Sequence, residues 1–211
     1  MSQSPEGWVE TPLDTVVSSS VGGMWGSPTP NGGDVPVRVI RGAEFRDWST
    51  TRAASAPRRF IPAAALASRQ LKLGDIVLEV SGGGPTQPVG RTVLIDEEAL
   101  KSAEDALICS NFCRRIVLSR ELNPWFVWYQ LLHGYSRGNT DAFQRATTNI
   151  RNLQVPRYLA GTYLVVPRSP NRRGSWALLT SCCIRSTLAF RHCRRCGETS
   201  YACERPYFSR R

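Results

Sequence analysis

Apolar positions along the chain fall in short bursts divided by glycine, proline and serine, a pattern that suits short strands better than long helices. The clearest bursts are DIVLEV (75–80) and RTVLID (91–96). They predict two strands lying side by side, joined by the Gly/Pro loop between them. VPVRVIRGAEF (35–45) alternates in places and predicts a further strand, with Arg38 and Arg41 flanking its centre. GWVETPLDTVV (7–17) is a short apolar segment that starts at Trp8. ALICSNFCRRIVLS (106–119) is strand-like and broken by a polar patch, and GTYLVVP (161–167) predicts a last short strand.

Helical signals are fewer. AAALASRQLKLGD supports a short helix from Ala63 that stops near Gly74. NPWFVWYQLLHGY (123–135) predicts a helix with Asn123 as its cap and Pro124 in the first turn. Apolar and aromatic residues cover most of its surface, so burial on more than one side is expected. GNTDAFQRATTNIRNLQVPRYL (138–159) is more amphipathic and rich in loop formers. SSSVGGMWGSPTPNGGDVP is a run of turn formers, expected as a connector or as a loop presenting Trp25. STTRAASAPRRFIP (49–62) is polar and then doubly basic at Arg58 and Arg59. The pattern as a whole predicts a mixed α+β domain over residues 1–167, with long loops around a small sheet.

Charge divides the chain. The formal net charge is +10, but residues 168–211 hold ten arginines against two glutamates, which leaves +2 for residues 1–167. A basic character that suggests a nucleic-acid partner therefore rests mostly on the last segment. Cysteine is skewed in the same way: Cys109 and Cys113 precede residue 168, while Cys182, Cys183, Cys193, Cys196 and Cys203 follow it. An odd count and an N-terminus without the basic-then-apolar order of a secretion signal argue against a disulfide framework and for a cytoplasmic protein. No apolar run approaches the roughly 20 residues that cross a bilayer.

The chemistry-bearing motifs are weak. Gly82–Gly84 are followed by Pro85 and Pro88 and then by a strand, whereas a dinucleotide loop opens into a helix and a Walker-type loop carries a lysine. These glycines are read as shaping a connection, with no nucleotide cofactor. His192, Cys193, Cys196 and Cys203, completed by Cys182 or Cys183, form a loose zinc-like set that chance explains better. His133 lacks an acid-base partner and is expected at a core or boundary position. Asp96, Glu97 and Glu98 are read as a solvated turn rather than a metal site. Nothing reads as a nucleophile with its base, so no catalytic residue, cofactor or metal is expected.

Five segments taken in order resemble the target-recognition domain of a type I restriction-modification DNA specificity subunit. The opening GWVETPLDTVVSSSVGGMWGSPTPNGGDVPVRVIRG is similar to the family's Trp-led strand, its glycine-threonine-proline loop and its strand carrying arginine-glycine before an acidic residue. The positions that match are Trp8, Leu13, Gly22, Gly23, Pro28, Thr29, Pro30, Arg41, Gly42 and Glu44. The centre resembles the family most closely, with Leu73, Gly74, Asp75, Ile76, Gly90, Arg91 and Thr92. ALICSNFCRRIVLS is similar to the strand that holds an asparagine before a basic residue, here Asn111 and Arg114. NPWFVWYQLL resembles the helix that follows, and ATTNIRNLQVPRYLAGTYLVVP resembles the closing motif, ending at Tyr163–Pro167.

The resemblance covers about residues 7–167. It implies a small twisted mixed sheet with helices and long loops, in a non-catalytic domain that reads one half of a split site in double-stranded DNA and directs a DNA methyltransferase subunit and a restriction subunit to it. Arg38, Arg41, Arg58, Arg59, Lys72, Arg91, Asn111, Arg114, Arg115 and Arg137 are the DNA-contact candidates. Phosphate contacts would supply affinity, and a few arginines or asparagines in loops would read base edges.

The family pattern has two such domains separated by long helices. This chain has one, and RSPNRRGSWALLTSCC after Pro167 carries no heptad pattern. The arginine- and cysteine-rich segment 168–211 is therefore expected to be disordered or an out-of-frame reading, and the chain a defective remnant. A structural or protein-interaction module and a small enzyme of unidentified substrate are the other readings that the residues leave open.

Overall fold

The computed structural model describes residues 7–82, 87–146 and 150–168. Strand β1 (Trp8–Pro12) runs through a 3-10 turn at Leu13–Val16 into β2 (Val17–Gly22), and β3 (Asp34–Ile40) follows. Next come helix α1 (Trp48–Thr51), strand β4 (Arg58–Pro62) and helix α2 (Ala63–Arg69). The central stretch holds β5 (Ile76–Glu79), β6 (Ser81–Gly82), β7 (Thr92–Leu94) and helix α3 (Glu97–Lys101). Strands β8 (Ala106–Cys109) and β9 (Cys113–Leu118) lead to helix α4 (Pro124–Ser136). The described chain closes with β10 (Gln144–Ala146), β11 (Arg151–Leu153), helix α5 (Val155–Gly161) and β12 (Tyr163–Pro167).

The expected single small sheet is divided into several. An antiparallel sheet runs in the order β2-β9-β5-β7, a mixed one in the order β4-β3-β8 with β3 and β8 parallel, and β10-β11-β6 and β1-β12 form two smaller ones. DIVLEV and RTVLID do pair, antiparallel, with Ile76 opposite Leu94 and Leu78 opposite Thr92.

β5 shows why that run is apolar at successive positions. Ile76 and Leu78 enter one core with Val127, Trp128 and Leu131 of α4, while Val77 enters another with Trp48, Ile95 and Leu107. A strand covered on both faces loses the apolar-polar alternation of a half-exposed one.

α4 begins as expected. The Asn123 side chain accepts hydrogen bonds from the backbone N–H groups of Trp125 (2.9 Å) and Phe126 (3.3 Å), with Pro124 as the first helical residue. Its burial is more one-sided than its composition suggests. Val127, Trp128 and Leu131 are buried, while Tyr129 is 49% exposed and packs along the outer side with Trp125 and Trp128. The Gln130 amide both donates to the Val165 carbonyl (3.2 Å) and accepts from the Val165 N–H (2.8 Å), tying α4 to β12.

Two polar segments that the apolar pattern did not mark as strands are strands. SSSVG belongs to β2 and RRFIP to β4. Both lie at sheet edges with many of their side chains facing water, and the outer flank of β4 is bonded only at Phe60, to Ser27, so polar residues replace the apolar signal. β1 pairs with β12 from Trp8 opposite Pro167 to Pro12 opposite Tyr163, bringing the two ends of the described chain together.

Candidate functional site

The motif residues Arg41, Gly42, Arg91 and Asn111 meet at one open cleft of about 640 Å³. Its floor is an ion pair. Arg91, at the start of β7, donates from Nε and Nη2 to the two carboxylate oxygens of Glu79 at 2.8 and 2.6 Å. The same Nη2 donates to the Gly42 carbonyl at 2.9 Å. The Glu79 side chain is 3% exposed. Burial opposes the charge on Arg91, but the hydrogen bond and attraction of Glu79 outweigh it and hold the guanidinium pKa above its usual value.

Gly42 is a glycine because this pair leaves no room. A β-carbon there would lie 2.6 Å from Glu79 Oε1 and 3.0 Å from Arg91 Nη2. Gly23 meets the same kind of limit: a β-carbon would fall 2.2 Å from the carbonyl oxygens of Cys109 and Ser110. Its backbone crosses β8 closely enough for Met24 N–H to bond the Cys109 carbonyl at 2.8 Å.

The loop after β3 carries a second pair. Arg41 donates through its backbone N–H (2.7 Å) and its Nη2 (2.6 Å) to the buried Glu44 carboxylate. That hydrogen bond raises the Arg41 pKa. Trp25 stands beside this loop, with the Arg59 guanidinium 4.2 Å and that of Arg41 5.8 Å from its ring centre. Arg46, which sequence reasoning passed over, is exposed and lines the same cleft. Only its neighbour Glu44 in RGAEF signalled the loop.

The turn between β8 and β9 lines the cleft as well. Asn111 and Phe112 are exposed there, and both also line an adjoining groove of about 450 Å³ with Arg114, Asn152 and Gln154. Arg114 and Arg115 are neighbours on β9, so their side chains leave on opposite faces. Arg114 lies at the groove, where it donates to the Ser20 carbonyl at 3.5 Å. Arg115 donates to the buried Asp75 carboxylate at 2.7 Å and to the Ser68 carbonyl at 3.1 Å. Asp75 also accepts from the Lys72 backbone N–H at 2.7 Å, so Gly74-Asp75 is a turn locked by its own side chain.

The remaining candidates lie elsewhere. Arg38 and Arg58 gather around Asp105 at 3.7 and 2.9 Å, and Arg38 also reaches Glu104. Lys72 is exposed near Asp75, and Arg137 is exposed at the end of α4. His133 is exposed too, rather than core, because it sits on the outer side of the last turn of α4. Asp96 caps α3 through the Ala99 N–H (2.7 Å) and pairs with Arg52 (2.9 Å), which also reaches Glu98. That explains the acidic run as a helix start. Among the described residues no cluster of His, Cys, Asp and Glu is arranged to hold a metal. The zinc-like set and Gly83-Gly84 lie outside the described residues.

No protein-family model and no curated protein matches the chain. Solved structures do. A chain from a structure of the type I R-M system, determined for its complex assembly and conformational transition, superposes with a TM-score of 0.52 at 16% identity. The match covers 91% of this chain and 42% of that one. The type I restriction-modification S subunit from M. genitalium gives a TM-score of 0.50 at 16% identity, over 88% of this chain and 41% of its own. The fold is similar to that of a type I S subunit. This chain spans less than half the length of either neighbour, and at that identity the likeness is one of fold. The fold is α+β, as the pattern of bursts and the family resemblance both led one to expect.

Proposed function

We propose that the chain is a non-catalytic DNA-recognition module of the type I specificity kind, which reads one half of a split duplex site. The observation that carries this reading is a fold similar to an S subunit with two adjoining grooves that gather Arg41, Arg46, Arg91, Asn111 and Arg114. In this reading Arg41 and Arg91 shape the groove through their carboxylate partners. Arg46, Arg59 and Arg114 supply positive charge for phosphates, and Asn111 presents an amide to base edges. Lys72, Arg38, Arg58 and Arg137 act as outlying phosphate contacts or serve solubility, while Arg115, 11% exposed and held by Asp75, is structural. The partners in this reading are double-stranded DNA and the methyltransferase and restriction subunits that the module brings to it, in the cytoplasm. Among the described residues no helix is long and apolar enough to cross a membrane.

The test is selection of the full chain on a mixed-sequence duplex pool at two salt concentrations, with and without a methyltransferase subunit. Enrichment of one half-site, with affinity falling as salt rises, supports the proposal. A pool that emerges unenriched in all conditions overturns it.

A further inference from the structure

The β8–β9 turn holds an aromatic ring where an ordinary surface would hold a polar one. Phe112 is 49% exposed and lies on the wall shared by the two grooves. Ile150, 45% exposed, lines the larger cleft with it. Exposed apolar side chains are common singly, but here they sit among Arg46, Arg91 and Arg114, within a cationic groove.

The turn is also held firmly from beneath. The Phe112 carbonyl accepts from the N–H groups of Val80 (2.9 Å) and Ser81 (3.1 Å). Ser110 N–H donates to the Ile40 carbonyl at 2.8 Å, and Cys113 N–H returns to the Ser110 carbonyl at 2.9 Å. The backbone is thus bonded to β3 and to the end of β5, while the side chains of Asn111 and Phe112 face the groove. A tip fixed in this way loses little freedom on binding.

We infer that Asn111 and Phe112 are the base-reading pair of the groove and that they read neighbouring adenine and thymine. A carboxamide matches the donor-acceptor edge of adenine in the major groove, and an apolar side chain fits the thymine methyl. The paired arginines beside them set the position of the groove and carry no sequence information. This rests on the DNA-recognition reading above.

The experiment uses the full chain and the duplex selected from the mixed pool, comparing wild type with Phe112→Ala, Asn111→Ala and Arg46→Ala. The selected duplex is also made with deoxyuridine in place of each thymidine, which removes only the methyl group. Wild type is expected to lose about five-fold or more at one substituted position, and Phe112→Ala to be indifferent to that substitution. Asn111→Ala is expected to lose about ten-fold and to relax preference at a single adenine. Arg46→Ala should weaken all sequences alike and lower the salt slope by about 1. If wild type selects a site but ignores every deoxyuridine, or if Phe112→Ala keeps the full methyl dependence, the inference is wrong and the DNA reading stands. If wild type binds no duplex even at low salt, both fall.

Discussion

Arg91 and Glu79 face each other across the β5–β7 pair as a two-point ion pair, and the guanidinium spans from Glu79 to the Gly42 carbonyl. This one side chain joins the end of β5, the start of β7 and the loop after β3. Its geometry makes Arg91 part of the architecture of the cleft as well as of its surface.

Replacing Arg91 with alanine strands the Glu79 carboxylate inside the domain. Removing one partner of a buried pair costs about 3–5 kcal/mol, and the partial exposure of Arg91 places the expected loss at the lower end. Urea denaturation reads it directly. The double variant Arg91→Met with Glu79→Leu should recover part of the loss, since no charge is then left unpaired. A single-variant loss below about 1 kcal/mol would show that water satisfies Glu79.

Gly42→Ala should destabilise by about 1–3 kcal/mol, because the new carbon meets the paired carboxylate at 2.6 Å. Gly32→Ala is the control. Its β-carbon meets nothing within 4 Å, so its melting should stay close to wild type.

Asn123→Ala removes the acceptor for two backbone donors at the start of α4. The expected cost is about 1 kcal/mol, read as a lower denaturation midpoint with unchanged slope. Asn123→Asp should keep most of the stability, because a carboxylate accepts the same bonds.

Alkaline pH should weaken the fold through Cys109. Burial pushes this thiol from its usual 9.0 up to about 12. Above pH 9 the unfolded chain releases the proton while the folded chain keeps it, so deprotonation favours unfolding. The stability contribution is complete below pH 9 and is lost as pH rises toward 12, by about 1.4 kcal/mol per pH unit at most for this group. Cys113 is pushed up in the same direction by burial. Stability measured from pH 8 to 11 should fall more gently in Cys109→Ala than in wild type, and equal slopes would refute the assignment.

Residues 1–167 are proposed as the folding unit. Deleting residues 168–211 should then leave the thermal midpoint nearly unchanged. A drop beyond about 4 °C, on the order of 1 kcal/mol for a domain of this size, would place part of the folding energy in that segment.

The sequence by itself determined the short apolar strands, the Asn123-Pro124 start of α4 and the imbalance of charge between residues 1–167 and the rest. These are local properties, written in spacing of a few residues or in composition. Edge strands β2 and β4 escaped because solvent contact replaces apolar periodicity with serine and arginine. Only the tertiary structure decided which arginines already have partners. Arg91 meets a carboxylate 12 residues away and a carbonyl 49 away, and Arg115 meets Asp75 across 40. No local pattern distinguishes those arginines from Arg46, which lines the larger cleft, or from Arg114, which meets the Ser20 carbonyl rather than a carboxylate. Ion pairing depends on distance in space, and distance in space is set by the packing of β3, β5, β7 and β9 around their shared cores.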